Sequence, residues 1–84
     1  MSEKTNKLVL LSRSNPMCPQ CVTLKNMLAD DGLEYEEIDI AEHPEAVEQY
    51  KISSVPVSLV VNSEGEEVMR FNGVRPPSLI KSFL

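Results

Sequence analysis

Cys18 and Cys21 are the two cysteines of this 84-residue chain, and only Pro19 and Gln20 separate them. Three chemistries can use such a pair. Thiol–disulfide exchange needs one thiol that ionises readily and a second within reach, and an i, i+3 spacing on a helix supplies both. A structural zinc site needs four ligands, yet beyond the thiols the chain offers His43 and scattered carboxylates, so a metal would require a second copy. A cysteine hydrolase would need His43 to reach Cys18 with a partner orienting the imidazole, and no arrangement of Asn or Asp signals one. Exchange is the reading these residues favour. A bridge across so short a loop adds little to stability, so its purpose is chemical rather than structural.

That chemistry requires a helix mouth directly after a buried strand. Leu8-Val9-Leu10-Leu11 within Lys7 to Ser12 is a continuous apolar run, as expected of a central strand covered on both faces. Ser14-Asn15-Pro16 breaks it. From Pro19 to Asp31 a helical pattern puts Cys21, Leu24 and Leu28 on one face, and Gly32 ends the helix. Free N–H groups and the dipole at the mouth of that helix favour an anion, and in Cys-x-x-Cys pairs the first thiol falls from about 8.5 to roughly 7 or lower. Cys18 is thus the candidate nucleophile, expected to be exposed. Cys21, on the apolar face, is the candidate resolving thiol, expected to be buried.

Leu33 to Ile40 carries Tyr35, Ile38 and Ile40 among acids and reads as a strand near the sheet edge. Pro44 to Tyr50 reads as a short helix with Val47 and Tyr50 facing inward, and His43 merely precedes it. Val57 to Val61 and Val68 to Phe71 flank the turn residues 62–66 and form an antiparallel hairpin. Ser78 to Leu84, after Pro76-Pro77, reads as a closing helix that packs Leu79, Ile80, Phe83 and Leu84 on the sheet. The order βαβαββα belongs to one α/β domain, residues 1–84, with a four-stranded mixed sheet and three helices. Val55-Pro56 marks the entrance of the third strand, and its peptide bond would be trans on the general preference alone.

With 42 % hydrophobic and 25 % charged residues the chain has the composition of an ordinary globular domain. Thirteen acidic against eight basic residues give a net charge of -5, which disfavours nucleic acid and anionic lipid and suits a protein partner with a basic patch. No apolar run approaches a membrane span or a signal-peptide core, so a cytoplasmic setting is expected.

Cys18-Pro19-Gln20-Cys21 behind the first strand, then Ser54-Val55-Pro56-Val57, then Phe71-Asn72-Gly73-Val74-Arg75-Pro76 resemble the glutaredoxin and thioredoxin families along essentially the whole chain. The resemblance implies that Pro56 is a cis-proline lying against the cysteines and that Val55 offers its backbone to a bound peptide. Pro19 after the first cysteine is the glutaredoxin arrangement, whereas Tyr50 to Pro56 and the elements after it look like the C-terminal half of a thioredoxin. Thioredoxins carry a buried acid and tryptophan where Ser12 and Met17 stand here, so no proton-shuttling acid is evident.

Glutathione-dependent glutaredoxins have a Gly-Gly and acidic stretch where this chain has Phe71 to Pro76. That segment, with Gln20, resembles NrdH-type redoxins, although Phe71 replaces their Trp, Val74 their Phe, and the Arg13 to Met17 loop is longer. The resemblance makes Met17, Pro19, Gln20, Val55, Pro56, Gly73 and Arg75 the candidate substrate-binding residues. Plainer roles stand beside these: Gly73 can simply turn the chain, Arg75 can be a solvated surface group, and Pro76-Pro77 can start a helix. Arg13 and Lys25 can serve the Cys18 thiolate or a substrate carboxylate, or no site at all.

The implied activity is a dithiol electron donor with no bound cofactor, its electrons coming from NADPH. Thioredoxin reductase would reduce it, and ribonucleotide reductase or a similar disulfide-bearing protein would be its client. A glutathione-dependent glutaredoxin is the alternative, and a non-enzymatic metal-bridged or scaffold module a third. A donor that must show its disulfide to several partners is expected to be a monomer.

Overall fold

The computed structural model describes residues 6–84. Strand β1 (Lys7–Ser12) runs parallel to β2 (Glu36–Asp39) and antiparallel to β3 (Val57–Val61), and β4 (Glu67–Asn72) pairs antiparallel with β3. The sheet order is β2-β1-β3-β4, and with helices α1 (Pro19–Asp30), α2 (Glu45–Gln49) and α3 (Pro77–Lys81) the chain follows the expected βαβαββα sequence of elements.

Alternation along β1 and β3 builds two cores. Leu8 and Leu10 join Val60, Phe71, Leu24 and Leu28 of α1, and Ile80 of α3 on one face of the sheet. Val9 and Leu11 join Val57, Leu59, Val61, Ile52 and Ala46 of α2 on the other. This explains the unbroken apolar run: every side chain of a central strand covered twice is buried, and each such Leu contributes about 1.5–3 kcal/mol. The edge strands differ, since Glu36 and Glu37 of β2 face water and Val68 of β4 is largely exposed.

Local chemistry sets the ends of α1. Pro19 occupies the first turn, where its missing N–H costs nothing. At the other end Gly32 takes φ +71°, and the Gly32 and Leu33 amides return to the carbonyls of Ala29 and Leu28. The hairpin turn closes on Asn62, whose Oδ1 accepts from the amides of Glu64 and Glu66 while Gly65 takes φ +83°.

Several boundaries differ from expectation. The second strand is confined to Glu36–Asp39, because only there does it lie along β1; Tyr35 instead packs against the α1-side core. Pro44 caps α2 rather than opening its first turn, and Ala46 is its buried residue, with Val47 and Tyr50 packed around it. The last helix runs over Pro77–Lys81 only. Ile80 points inward, so Leu79, about 100° away around the axis, is 42 % exposed rather than packed. Phe83 follows Ile80 inward and meets Phe71 edge-on at 5.6 Å between ring centres.

Candidate functional site

Cys18 is the N-cap of α1, with extended backbone angles, and its sulfur accepts from the Cys21 amide at 3.2 Å. The two cysteines are joined as a disulfide with their Cα atoms 5.2 Å apart. Cys21 is 1 % exposed, as its place on the Leu24–Leu28 face demands. Cys18 is not exposed as expected: it shows 5 % of its surface. Its sulfur is bonded to that of the buried Cys21 and turned back over the helix mouth, where it receives the Cys21 amide. Its neighbours Met17, Pro19 and Gln20 are the exposed residues, Met17 at 68 %.

The Val55–Pro56 peptide bond is cis, as the resemblance implied and the general preference for trans did not. Asn15–Pro16, in the loop before Cys18, is also cis. Leu11 pairs with Val57, so one step further along this antiparallel register Ser12 comes opposite Pro56. Pro56 is fully buried and Val55 half-buried, and the Val55 amide and carbonyl make no backbone hydrogen bond among the described residues. From the other side the Gly73 amide donates to the Pro56 carbonyl at 2.9 Å, which ties the Gly73–Pro76 loop to the cis-proline. Gly73 takes φ +81°, a conformation in which a side chain is strained, so it does turn the chain. Arg75 beyond it is exposed, and Pro76 and Pro77 do open α3.

A network that the sequence did not announce lies beneath β1. The hydroxyl of Ser12, itself buried, donates to Glu37 Oε2 at 2.7 Å, and the same oxygen accepts from Lys25 Nζ of α1 at 2.9 Å. Desolvation would raise the Glu37 carboxyl, but the hydrogen bonds from Ser12 and Lys25 and the Lys25 charge outweigh it and hold the group below the usual carboxylate range. The Glu37 hydrogen bond in turn raises Lys25 against its own desolvation. An acid therefore approaches the end of β1 from the neighbouring strand, where Ser12 itself supplies none. The signal available in the sequence was Ser12, a polar residue closing an apolar run.

Arg13 Nε donates to the Pro16 carbonyl at 3.0 Å, which seats this arginine on the loop before Cys18. His43 stands at the start of α2 with its Nδ1 3.4 Å from Glu45, both exposed. Among the described residues no three of His, Cys, Asp and Glu gather as a metal ion would require. No helix there is long and apolar enough to cross a membrane.

Comparison with known proteins agrees with this geometry. The SPbeta prophage-derived thioredoxin-like protein YosR of Bacillus subtilis is 30 % identical over 70 residues, covering 83 % of this chain and 88 % of that protein. Among solved structures, the glutaredoxin-like protein NrdH-redoxin from Escherichia coli superposes with a TM-score of 0.68 at 22 % identity, covering 89 % of this chain and 92 % of that one. A thioredoxin from Halobacterium salinarum reaches 0.77 at 18 % identity, covering 92 % of this chain and 69 % of that one. These two share the fold. The glutaredoxin family model matches residues 8–64, and with the Cys18–Cys21 disulfide at the mouth of α1 the chain belongs to the glutaredoxin family of the thioredoxin superfamily, a redoxin with the cysteine pair of a thiol–disulfide oxidoreductase.

Proposed function

We propose that the protein is a dithiol electron donor, reduced by thioredoxin reductase at the expense of NADPH, that passes its electrons to ribonucleotide reductase or a similar disulfide-bearing protein. The observation that carries this reading is a Cys18–Cys21 disulfide at the N-cap of α1, and the Val55 backbone without a backbone hydrogen bond among the described residues supports it as a place for a peptide to pair. The Phe71 to Pro76 segment, standing where a glutathione-holding stretch would lie, favours a protein reductant.

In the reduced protein the α1 mouth favours the Cys18 thiolate, which attacks one sulfur of a client disulfide. A Cys18–client bond forms, the client bond breaks, and the first client sulfur leaves as a thiolate that takes a proton. Cys21 then gives up its proton and attacks Cys18 Sγ. The second client sulfur leaves, the Cys18–Cys21 bond re-forms, and two electrons have passed to the client. Val55 aligns the client by strand-type pairing, and Met17, Pro19, Gln20 and Gly73 shape the surface around it.

The test is recovery of free thiols from the oxidised protein with thioredoxin reductase and NADPH in one tube and glutathione, glutathione reductase and NADPH in the other. Fast reduction in the first alone is expected. Fast reduction in the second alone would make the protein glutathione-dependent, a reading the glutaredoxin family match keeps in play. Cys18→Ser is expected to abolish activity, and Cys21→Ser to accumulate a client mixed disulfide visible by mass spectrometry.

A further inference from the structure

The net charge of -5 is not spread evenly. Acidic residues of the described chain lie between Asp30 and Glu48 and between Glu64 and Glu67, that is in the far end of α1, β2, α2 and the hairpin turn. The segment that carries the cysteines, the cis-proline segment and the loop bound to it, residues 13–22, 53–56 and 73–77, contain no Asp or Glu and contain Arg13 and Arg75.

The ion pairs sort the same way. Lys7, Lys25, Arg70 and Lys81 each hold a carboxylate, on Glu36, Glu37, Glu67 and Asp31. Among the described residues Arg13, Lys51 and Arg75 are the cations without a carboxylate partner, and two of these three lie in those acid-free segments. The hydrogen bonds of Arg13 and Arg75 go to backbone carbonyls of Pro16 and Val74, which leaves their charge uncompensated. One carboxylate does approach, Asp39, but it accepts from the Ser14 and Ala41 amides at the β2 edge.

Arg13 is also the one charged residue lining a cavity of about 80 Å³ whose other walls are Ile40, Val47, Ile52 and the Ser53–Val55 segment. It therefore adjoins the segment that carries the free Val55 backbone. Arg75 is exposed two residues past the Gly73 amide that binds Pro56. Arg13 and Arg75 are thus the cations that the loops adjoining this segment offer to a peptide laid along Val55, while the nearby carboxylates Glu37 and Asp39 are already engaged by Ser12, Lys25, Ser14 and Ala41.

Resting on the dithiol-donor reading above, we propose that the client segment docking over the disulfide is acidic: an extended peptide with Asp or Glu beside its reducible cysteine, paired on Val55, with its carboxylates facing Arg13 and Arg75. The overall charge would select a basic partner, but at contact the local groups decide, because charges beyond about 8 Å are largely screened at physiological salt.

The experiment compares two peptides that carry the same internal disulfide, one flanked by Asp and the other by Lys, and reads the second-order rate constant of their reduction by the pre-reduced protein. The acidic peptide is expected to react roughly tenfold faster at low salt, with the gap closing at high salt. Arg13→Gln and Arg75→Gln should each shrink the ratio several-fold, and the double variant should bring it to about one. Equal rates with the wild type, a faster basic peptide, or a ratio untouched in the double variant would overturn the proposal. Neutral bis(2-hydroxyethyl) disulfide separates the two levels: if the wild type reduces it without a charge preference among peptides, the acidic-client inference alone fails, and if it cannot reduce it, the dithiol-donor reading fails.

Discussion

At the scale of single residues, the site separates what a side chain's type reveals from what only its neighbours reveal. Cys18 and Cys21 were legible because their spacing suits one chemistry far better than the others, and Cys21's burial followed from sharing a face with Leu24 and Leu28. The burial of Cys18 was not legible, since it depends on a bond to a core sulfur and on a cap that receives the Cys21 amide. Glu37 was hidden for a different reason: it meets Ser12 across 25 residues of sequence, and only the parallel register of β1 and β2 joins them. Ser58 is another residue whose environment the sequence conceals. It is fully buried on β3 between Leu10 and Phe71, and its hydroxyl has no partner among the described residues. Leaving such a group unpaired costs about 1–3 kcal/mol, more than the small void left by removing one oxygen. Ser58→Ala is therefore expected to raise the melting temperature by about 4–8 °C, measured by thermal circular dichroism; a lower melting temperature would mean that the hydroxyl is satisfied in solution.

At the scale of elements, the strongly patterned pieces were readable and the short ones were not. The apolar run of β1, the i, i+3, i+7 face of α1 and the turn chemistry of the hairpin all carry their own period. Helices α2 and α3 have five residues each, too few for a period to declare which side is buried, and so Ala46 and Leu79 exchange the roles their hydrophobicity suggests. What joins α1 to β2 is the Lys25–Glu37–Ser12 network, and its stability depends on pH with a definite sign. The Glu37 carboxyl lies below its ordinary value of 4.5, so its contribution is fully present above that value and is lost as the pH falls through the lower folded value. Lys25 is raised above 10.5, so its contribution is present below that value and is lost as the pH rises through the higher folded one. Both side chains are about one-third exposed, which limits the pair to under about 1 kcal/mol. Wild type and Glu37→Gln are expected to differ by this small amount in urea melts at neutral pH and to converge as the pH falls through the lowered folded value of Glu37. A gap that persists unchanged in acid would remove the carboxylate from the account.

At the scale of the whole molecule, the order of the strands in space was only partly implied by their order in sequence. The hairpin fixes β3 beside β4, and a helix between β1 and β2 fixes them as parallel neighbours. That β1 and β3 should then meet in the middle follows from their burial, because they are the two strands whose residues are apolar on both faces. The sheet thus has a double-paired centre and two single-paired margins. Opening is consequently graded. Amide protons of Leu8–Leu11 and Leu59–Val60 are expected to exchange with deuterium only through global unfolding, while those of α2 and α3 exchange through cheaper local excursions. The loops that carry Cys18 and Pro56 are rooted directly in the two slow strands, and the Gly73–Pro76 loop and α2 in the fast margins. With that gradient, the half of the site rooted in β1 and β3 is expected to stay still while the rim opens, so that a client would be admitted without disturbing the geometry of the sulfur atoms.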